Sequence, residues 1–412
     1  MYYEPIRVLG KGGFGSVILG RRRKQANDEN GNSENDDPTE VAIKVVGSKD
    51  VTDADLGYAH REMDILTELS HPNIMKLIRH WEPAPEEHLC AAVMVLSYSQ
   101  GPTVHKLVQK GGALGLAFGR VVMAQLIDAL SYVHSRAVVH RDVKGDNVVV
   151  TGAALEQDEI WDDNNTGDRD WTALRQKWHV TLIDFGFARA LTPDDMKKKP
   201  PKGDPRDALD ASTGSHRSLN SSMRSLRRST SRRFTRKMSA LGNRDYAAPE
   251  ITKSVETCEP SLHKGTDILH TISKHVSYYG LQVDAYALGV LMRYSLTGVP
   301  PRENVQEFIA MHNNPFLQLS RMLCCSKKKP GQREPQYRGL DKIPAEVFRM
   351  IKGLMHYDPQ QRTTIRTARR YPWVDDVLDG EGPDAKEVQY LNLVQNAQKA
   401  DDTSAGTPEH EA

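Results

Sequence analysis

At 412 residues the chain can hold two or three lobes with cores of their own. Its 55 Lys+Arg against 54 Asp+Glu leave no overall positive field, which excludes a whole-molecule polyanion binder, so no nucleic-acid partner is expected. Four cysteines, Cys90, Cys258, Cys324 and Cys325, have neither metal-ligand spacing nor the density of a disulfide framework, and reduced thiols in a cytoplasmic protein are expected.

Met1-Tyr2-Tyr3-Glu4-Pro5 lacks the basic and apolar regions of a signal peptide. No apolar run approaches a membrane span in length, so no span is expected. Residues 6–21 alternate apolar and polar around Leu9-Gly10-Lys11-Gly12-Gly13-Phe14-Gly15-Ser16-Val17, a pattern that predicts strand, tight turn, strand. Glycines there allow close backbone approach, and successive amides can cradle phosphate oxygens. A lone Gly-x-Gly-x-x-Gly also fits dinucleotide-binding folds, but those need a helix next, whereas Val17-Ile18-Leu19-Gly20 continues as strand.

Residues 24–40 are polar and mostly acidic and predict a solvated hairpin tip. Val41-Ala42-Ile43-Lys44-Val45-Val46 then sets one lysine inside an apolar strand. Lys44 either snorkels at a strand edge or is held for a partner phosphate. Residues 58–69 carry Ile65, Leu66 and Leu69 on one helical face, with Glu62 one turn before Leu66. Pro72 ends that helix. Val93-Met94-Val95-Leu96 predicts a buried strand leading into a connector, Ser97-Tyr98-Ser99-Gln100-Gly101-Pro102.

The densest chemistry lies in His140-Arg141-Asp142-Val143-Lys144-Gly145-Asp146-Asn147, followed by Val148-Val149-Val150. Upstream, Val122, Leu126, Leu130 and Val133 recur at helical spacing, so the pattern is helix, polar loop, strand. Such a loop either is a charged, solvated turn or carries catalysis between buried elements. Val180-Thr181-Leu182-Ile183 is a further strand, ending at Asp184-Phe185-Gly186.

Taken in order, these motifs resemble a eukaryotic protein kinase catalytic domain of the Ser/Thr type. The matching elements are the glycine loop, Val-Ala-Ile-Lys at Lys44, the helix glutamate Glu62, His-Arg-Asp at Asp142, Asn147, Asp-Phe-Gly at Asp184 and Ala-Pro-Glu ending at Glu250. Asp284-Ala285-Tyr286-Ala287-Leu288-Gly289 resembles the family's Asp-x-Trp-Ser-x-Gly helix, and Arg362 falls where the family places the partner of the Ala-Pro-Glu glutamate. Tyr371-Pro372-Trp373 resembles a signature of calmodulin-dependent-kinase-like domains. The resemblance spans about residues 3–374.

It implies an α+β, bilobal protein kinase fold: a small β-rich N-lobe with one main helix over residues 1–96, a hinge at 97–103, and a large, mainly helical C-lobe over 104–375. It further implies ATP and Mg²⁺ as cofactors and protein substrates as partners. Residues 9–15 with Val17, Ala42, Lys44, Leu96, Ser97, Tyr98 and Val149 would surround the nucleotide. Asn147 and Asp184 would hold Mg²⁺, a hard ion suited to oxygen ligands. Asp142 would orient the substrate hydroxyl and accept its proton, Lys144 would sit near the transferring phosphate, and Lys44, steered by Glu62, would hold the inner phosphates. Arg141 beside the catalytic aspartate implies control by a phosphate on the activation segment. A pseudokinase scaffold is the alternative, and its mark would be loss of Lys44, Asp142, Asn147 or Asp184; all four are present.

Two departures stand out. Asn243 replaces the family's threonine in Gly242-Asn243-Arg244-Asp245-Tyr246, and Thr103 stands where an acid that receives a basic substrate residue would be expected, although Asp146 keeps another. Insertions are expected near 151–178, 192–240, 252–278 and 324–340, with an acidic polar tail over 376–412 containing Val388, Leu391 and Val394 at helical spacing. Residues 197–239 carry 13 Lys+Arg against 3 Asp, and 12 Ser/Thr lie between Ser212 and Ser239, several three residues after an arginine. Phosphorylation of 212–239, by the chain itself or an upstream kinase, is expected, and residues 227–237 also read as a nuclear import signal. Residues 156–170 carry seven acids and one base among Trp161, Trp171 and Trp178, an opposite charge suited to docking on the basic insert.

Overall fold

The computed structural model describes residues 2–12, 15–23, 39–47, 53–82, 92–152, 155, 160–161, 169–192, 244–251, 280–303 and 338–378. The period-two stretches build the first lobe. Strands β1 (Tyr3–Gly12), β2 (Gly15–Arg22), β3 (Glu40–Val46), β4 (Leu77–Trp81) and β5 (Ala92–Ser97) form an antiparallel sheet in the order β1-β2-β3-β5-β4. The valine-rich strands β3 and β5 lie inside it, with Val41, Val46 and Val93 to Leu96 buried, as branched side chains favour on a pleated surface. Register then sets Val17 beside Lys44 and Ala42 beside Leu96.

One helix, α1 (Asp53–Glu68), packs on this sheet. It begins before the predicted 58–69, and it buries Ala59, Met63, Ile65 and Leu66 while Leu69 is buried just beyond its end. The turn after it is closed locally, the Asn73 N–H donating to His71 Nδ1 at 3.1 Å.

The larger lobe forms around α3 (Leu116–Ser135). Val122, Leu126, Leu130 and Val133 are all fully buried, and so are Phe118, Val121, Met123, Ala124, Ile127 and Ala129, so the apolar surface runs round the helix rather than along one stripe. Among the described residues this is the one helix long and apolar enough to cross a membrane, which corrects the expectation that no run approaches that length; here it is mostly buried inside the protein. Around it stand α2 (Val104–Gly111), β6 (Val138–Val139), β7 (Val148–Gly152), α4 (Trp171–Lys177), β8 (Trp178–Leu182), β9 (Arg189–Ala190), α5 (Gln282–Thr297), α6 (Ala345–Leu354), α7 (Ile365–Arg369) and α8 (Pro372–Leu378). The β-rich lobe with its single helix and the mainly helical lobe are the two lobes of the expected fold.

At the junction, Thr103 starts α2: its Oγ1 accepts from the Lys106 N–H, and its backbone bridges to Val149. The residue that looks like a missing acid is therefore a helix cap. Strands β7 and β8 pair across the 151–178 insertion, so its ends belong to a hairpin. Asp170, one of the seven acids, caps α4 by accepting from the Ala173 N–H. The tryptophans are packing anchors: Trp178 lies edge-on to Phe118 at 4.9 Å, Trp171 lies under Arg120 at 4.1 Å, and Trp161 covers Gly111, where a Cβ would fall 2.2 Å from its ring. Helix α8 runs through the expected lobe end at 375, burying Val377 and Leu378. The hairpin tip at 24–38, the basic segment 197–239, the insertions at 252–278 and 324–337, Asn243 and the tail from 379 lie outside the described residues, as does most of 156–168.

Candidate active site

Gly10 and Gly12 of β1 and Gly15 of β2 lie along one edge of the site. Gly12 pairs with Gly15 and Gly10 with Val17 where the strands approach their turn. At Gly15 a Cβ would fall 1.9 Å from the Val45 carbonyl oxygen, so only glycine fits. Gly10 faces open space, Leu9 is half-buried and Lys11 is exposed. Gly13 and Phe14 lie outside the described residues.

The choice left open for Lys44 is resolved by α1. Lys44 Nζ donates to Glu62 Oε2 at 2.7 Å and Oε1 at 2.8 Å and lies 3.3 Å from Asp184 Oδ1. Glu62 faces inward and is buried, unlike an ordinary helix glutamate. Burial works against the Lys44 cation, but the carboxylates of Glu62 and Asp184 outweigh it and hold the ammonium above the usual lysine range.

Asp184 follows β8 with φ +62°, a left-handed conformation that is rare outside glycine. Its Oδ1 accepts from the Gly186 N–H at 3.3 Å. Burial pushes its carboxyl up, yet Lys44 and the Gly186 amide hold it below the usual carboxylate range. The Ile183 N–H donates to the Asn147 carbonyl at 2.9 Å, which brings the polar loop against Asp184.

Inside that loop, Asp142 Oδ2 accepts from Lys144 Nζ at 2.6 Å and from Asn147 Nδ2 at 2.8 Å. Asn147 Nδ2 also donates to the Asp142 carbonyl at 2.9 Å, which leaves the Asn147 amide oxygen for a cation. The other oxygen of Asp142, Oδ1, is buried without a hydrogen-bond partner among the described residues. An orphaned carboxylate oxygen is costly unless something else binds it. The donor set of Asp184 and Asn147 is all oxygen, which suits Mg²⁺, and Lys44 beside it suits a phosphate; the residues fit both expected groups.

On the side expected to hold the adenine, Ala42 and Leu96 pair across β3 and β5, and Val149 is buried beside the junction. The Ser97 hydroxyl accepts from the Lys76 N–H at 2.9 Å, and Tyr98 meets Arg7 through its hydroxyl at 3.5 Å. Ser99, outside the predicted set, donates to Thr181 Oγ1 at 2.9 Å and ties the connector to β8.

A further residue had a motif but no predicted role. Asp284, at the start of α5, accepts from the His140 N–H and the Arg141 N–H, both at 2.8 Å, and lies 2.9 Å from His134 Nε2. It thereby fixes the backbone where Arg141 takes φ +66°. Its place in the resembled Asp-x-Trp-Ser-x-Gly helix was the only signal, since nothing local links positions 140 and 284.

This arrangement is that of a protein kinase domain. Residues 3–203 and 223–374 match the protein kinase domain family, and the chain belongs to it. It is 23% identical over 386 residues to the serine/threonine-protein kinase TIO of Arabidopsis thaliana, covering 94% of this chain and 20% of that protein. It is 24% identical over 373 residues to an Aurora kinase of Candida glabrata, covering 90% of this chain and 70% of that protein. With serine/threonine-protein kinase 36 of Pongo abelii it shares 28% over 203 residues, 49% of this chain and 12% of that protein. The chain thus spans about a fifth or less of the length of two of these three relatives. A solved structure, of the Rad53 kinase domain and SCD2, superposes with a TM-score of 0.48 at 19% identity, covering 90% of this chain and 88% of that one.

Proposed function

We propose that the chain is an ATP-dependent serine/threonine protein kinase that transfers the γ-phosphate of ATP to Ser and Thr hydroxyls of protein substrates. The observation that carries this is the buried Oδ1 of Asp142, left without a partner while Lys144 and Asn147 hold the opposite oxygen. A carboxylate held this way is set to accept a hydrogen bond from one incoming hydroxyl and then its proton.

Mg²⁺, bound with ATP, supplies charge neutralisation at the transferring phosphate. Asp184 and Asn147 would hold that ion, and Lys44, kept charged and oriented by Glu62, would hold the inner phosphates. Lys144 would neutralise charge on the outer phosphoryl oxygens. The glycine edge would cover the phosphates through its amides, and Ala42, Leu96, Val17 and Val149 would enclose the adenine.

Control by phosphorylation of the basic activation segment belongs to the same proposal. The Arg141 side chain is half-buried, its buried Nε lacks a partner among the described residues, and Arg189 and Arg61 lie near enough to repel it. Burial, then Arg189, push its guanidinium down to about 10. A phosphate would relieve this. A mild preference for basic residues near the phosphosite, through exposed Asp146, and membership of the calmodulin-dependent-kinase-like branch are further parts of the proposal.

A peptide array with Mg²⁺-ATP, run with wild type beside Asp142→Asn, tests it. Wild type should label Ser/Thr peptides and the variant should not. Equal signal from both would mean that the activity is a contaminant's, and a wild type that binds nucleotide without labelling would make the chain a scaffold.

A further inference from the structure

The segment Asn73–Met75 runs alongside the end of β8 as a short parallel ladder. The Leu182 N–H donates to the Asn73 carbonyl at 2.8 Å, and the Met75 N–H donates to the Leu182 carbonyl at 3.0 Å, with Ile74 and Leu182 as the bridge pair. The next bond of such a ladder would run from the Asp184 N–H to the Met75 carbonyl. It does not form. The backbone turns to φ +62° at Asp184, and the Asp184 N–H donates instead to Met75 Sδ at 3.3 Å. Met75 is 5% exposed, so water does not readily replace that acceptor.

We propose that Met75 is a positioning residue: its thioether sulfur holds the Asp184 amide in the left-handed turn and thereby sets the direction of the Asp184 carboxylate. A leucine would fill nearly the same space but offers no acceptor, leaving the N–H of the strained Asp184 without its partner. The strain makes the contact matter. A left-handed aspartate persists only where its surroundings hold it, and one of the holding bonds here comes from sulfur. The Asp184 carboxylate also meets Lys44 and Gly186, so a rotation of the turn would misplace the oxygen that faces the cleft.

The metal part of this inference rests on the kinase proposal, whereas the contact itself does not, and the test separates them. The variant is Met75→Leu, a volume-conserving core swap that such interiors tolerate. In the ligand-free protein, hydrogen exchange of the Asp184 amide should accelerate about three- to tenfold, the scale of one net hydrogen bond, while the Leu182 amide keeps its wild-type rate. With a non-hydrolysable ATP analogue, the Mg²⁺ midpoint for binding should rise by about threefold, the lower end of that range because a thioether is a weak acceptor. Binding of the analogue without metal should be unchanged. Unaltered exchange at Asp184, or equal acceleration at Leu182, would overturn the contact. An unaltered Mg²⁺ midpoint would overturn its role in aiming the carboxylate. A wild type that binds no magnesium nucleotide would overturn the kinase proposal and the aiming role together, with the exchange measurement still deciding the contact.

Discussion

Arg362 holds Glu250 through both carboxylate oxygens, Nη1 to Oε1 at 2.7 Å and Nη2 to Oε2 at 2.9 Å, in a pair almost wholly buried. The same guanidinium donates to the carbonyls of His356 and Gln282, so one side chain joins the end of the Ala-Pro-Glu motif to α5 and to the chain before α7. Removing one partner leaves a buried charge. Arg362→Met should cost about 3–5 kcal/mol, read as a fall in denaturation midpoint. Adding Glu250→Leu should recover part of that loss, because the orphaned carboxylate goes with it.

Lys44 and Glu62 predict a functional loss without comparable unfolding. Lys44→Met should lower turnover by at least about 10²-fold, since the lysine supplies charge where the phosphates would lie. Glu62, left alone in a buried site, would take up a proton rather than stay charged, which limits the stability cost. Paired measurements of turnover and melting temperature check this.

Asp284 predicts a pH signature. Burial pushes its carboxyl up, but His134, then His140, hold it below its ordinary 3.8. A depressed carboxyl contributes stability that is complete above its unfolded pKa and is lost as pH falls through the lower folded value. Asp284→Asn should therefore be less stable than wild type at neutral pH, with the two curves converging only below about pH 3.8, the ordinary aspartate value. Parallel acid-unfolding curves would contradict this.

Arg141 predicts a regulatory signature. Phosphatase treatment should lower wild-type activity, whereas Arg141→Gln should be low before treatment and unchanged by it, because the group that would grip the phosphate is gone. Mass spectrometry after ATP incubation should place phosphates within 212–239. An unmodified segment would contradict self-phosphorylation.

Much of the site was legible because its parts are local. The period-two pattern gave β3 and β5, and Asp142, Lys144 and Asn147 lie within six residues, so their convergence needs little more than one loop. What sequence could not give is the long-range support. Asp284 binds the backbone at 140 and 141 across more than 140 positions, and no periodicity encodes a side chain that caps a distant loop. Met75 was invisible for a different reason, since a methionine beside an apolar run reads as core filling. The tryptophans among the acids of the 151–178 insertion carried no assigned role in the sequence, and the structure packs them against Phe118, Gly111 and Arg120. Thr103 shows how a cap can pass for a lost binding residue.

In the proposed kinase the terminal phosphate of a magnesium nucleotide would face the Asp142 carboxylate. Steady-state turnover of Mg²⁺-ATP with a serine peptide, measured beside nucleotide affinity for wild type and Asp142→Asn, tests it most directly. Turnover should fall by about 10²- to 10⁴-fold in the variant, the scale of a lost general base, while nucleotide Kd stays the same. Equal turnover by the two proteins, or a loss of turnover matched by an equal loss of nucleotide affinity, would contradict it.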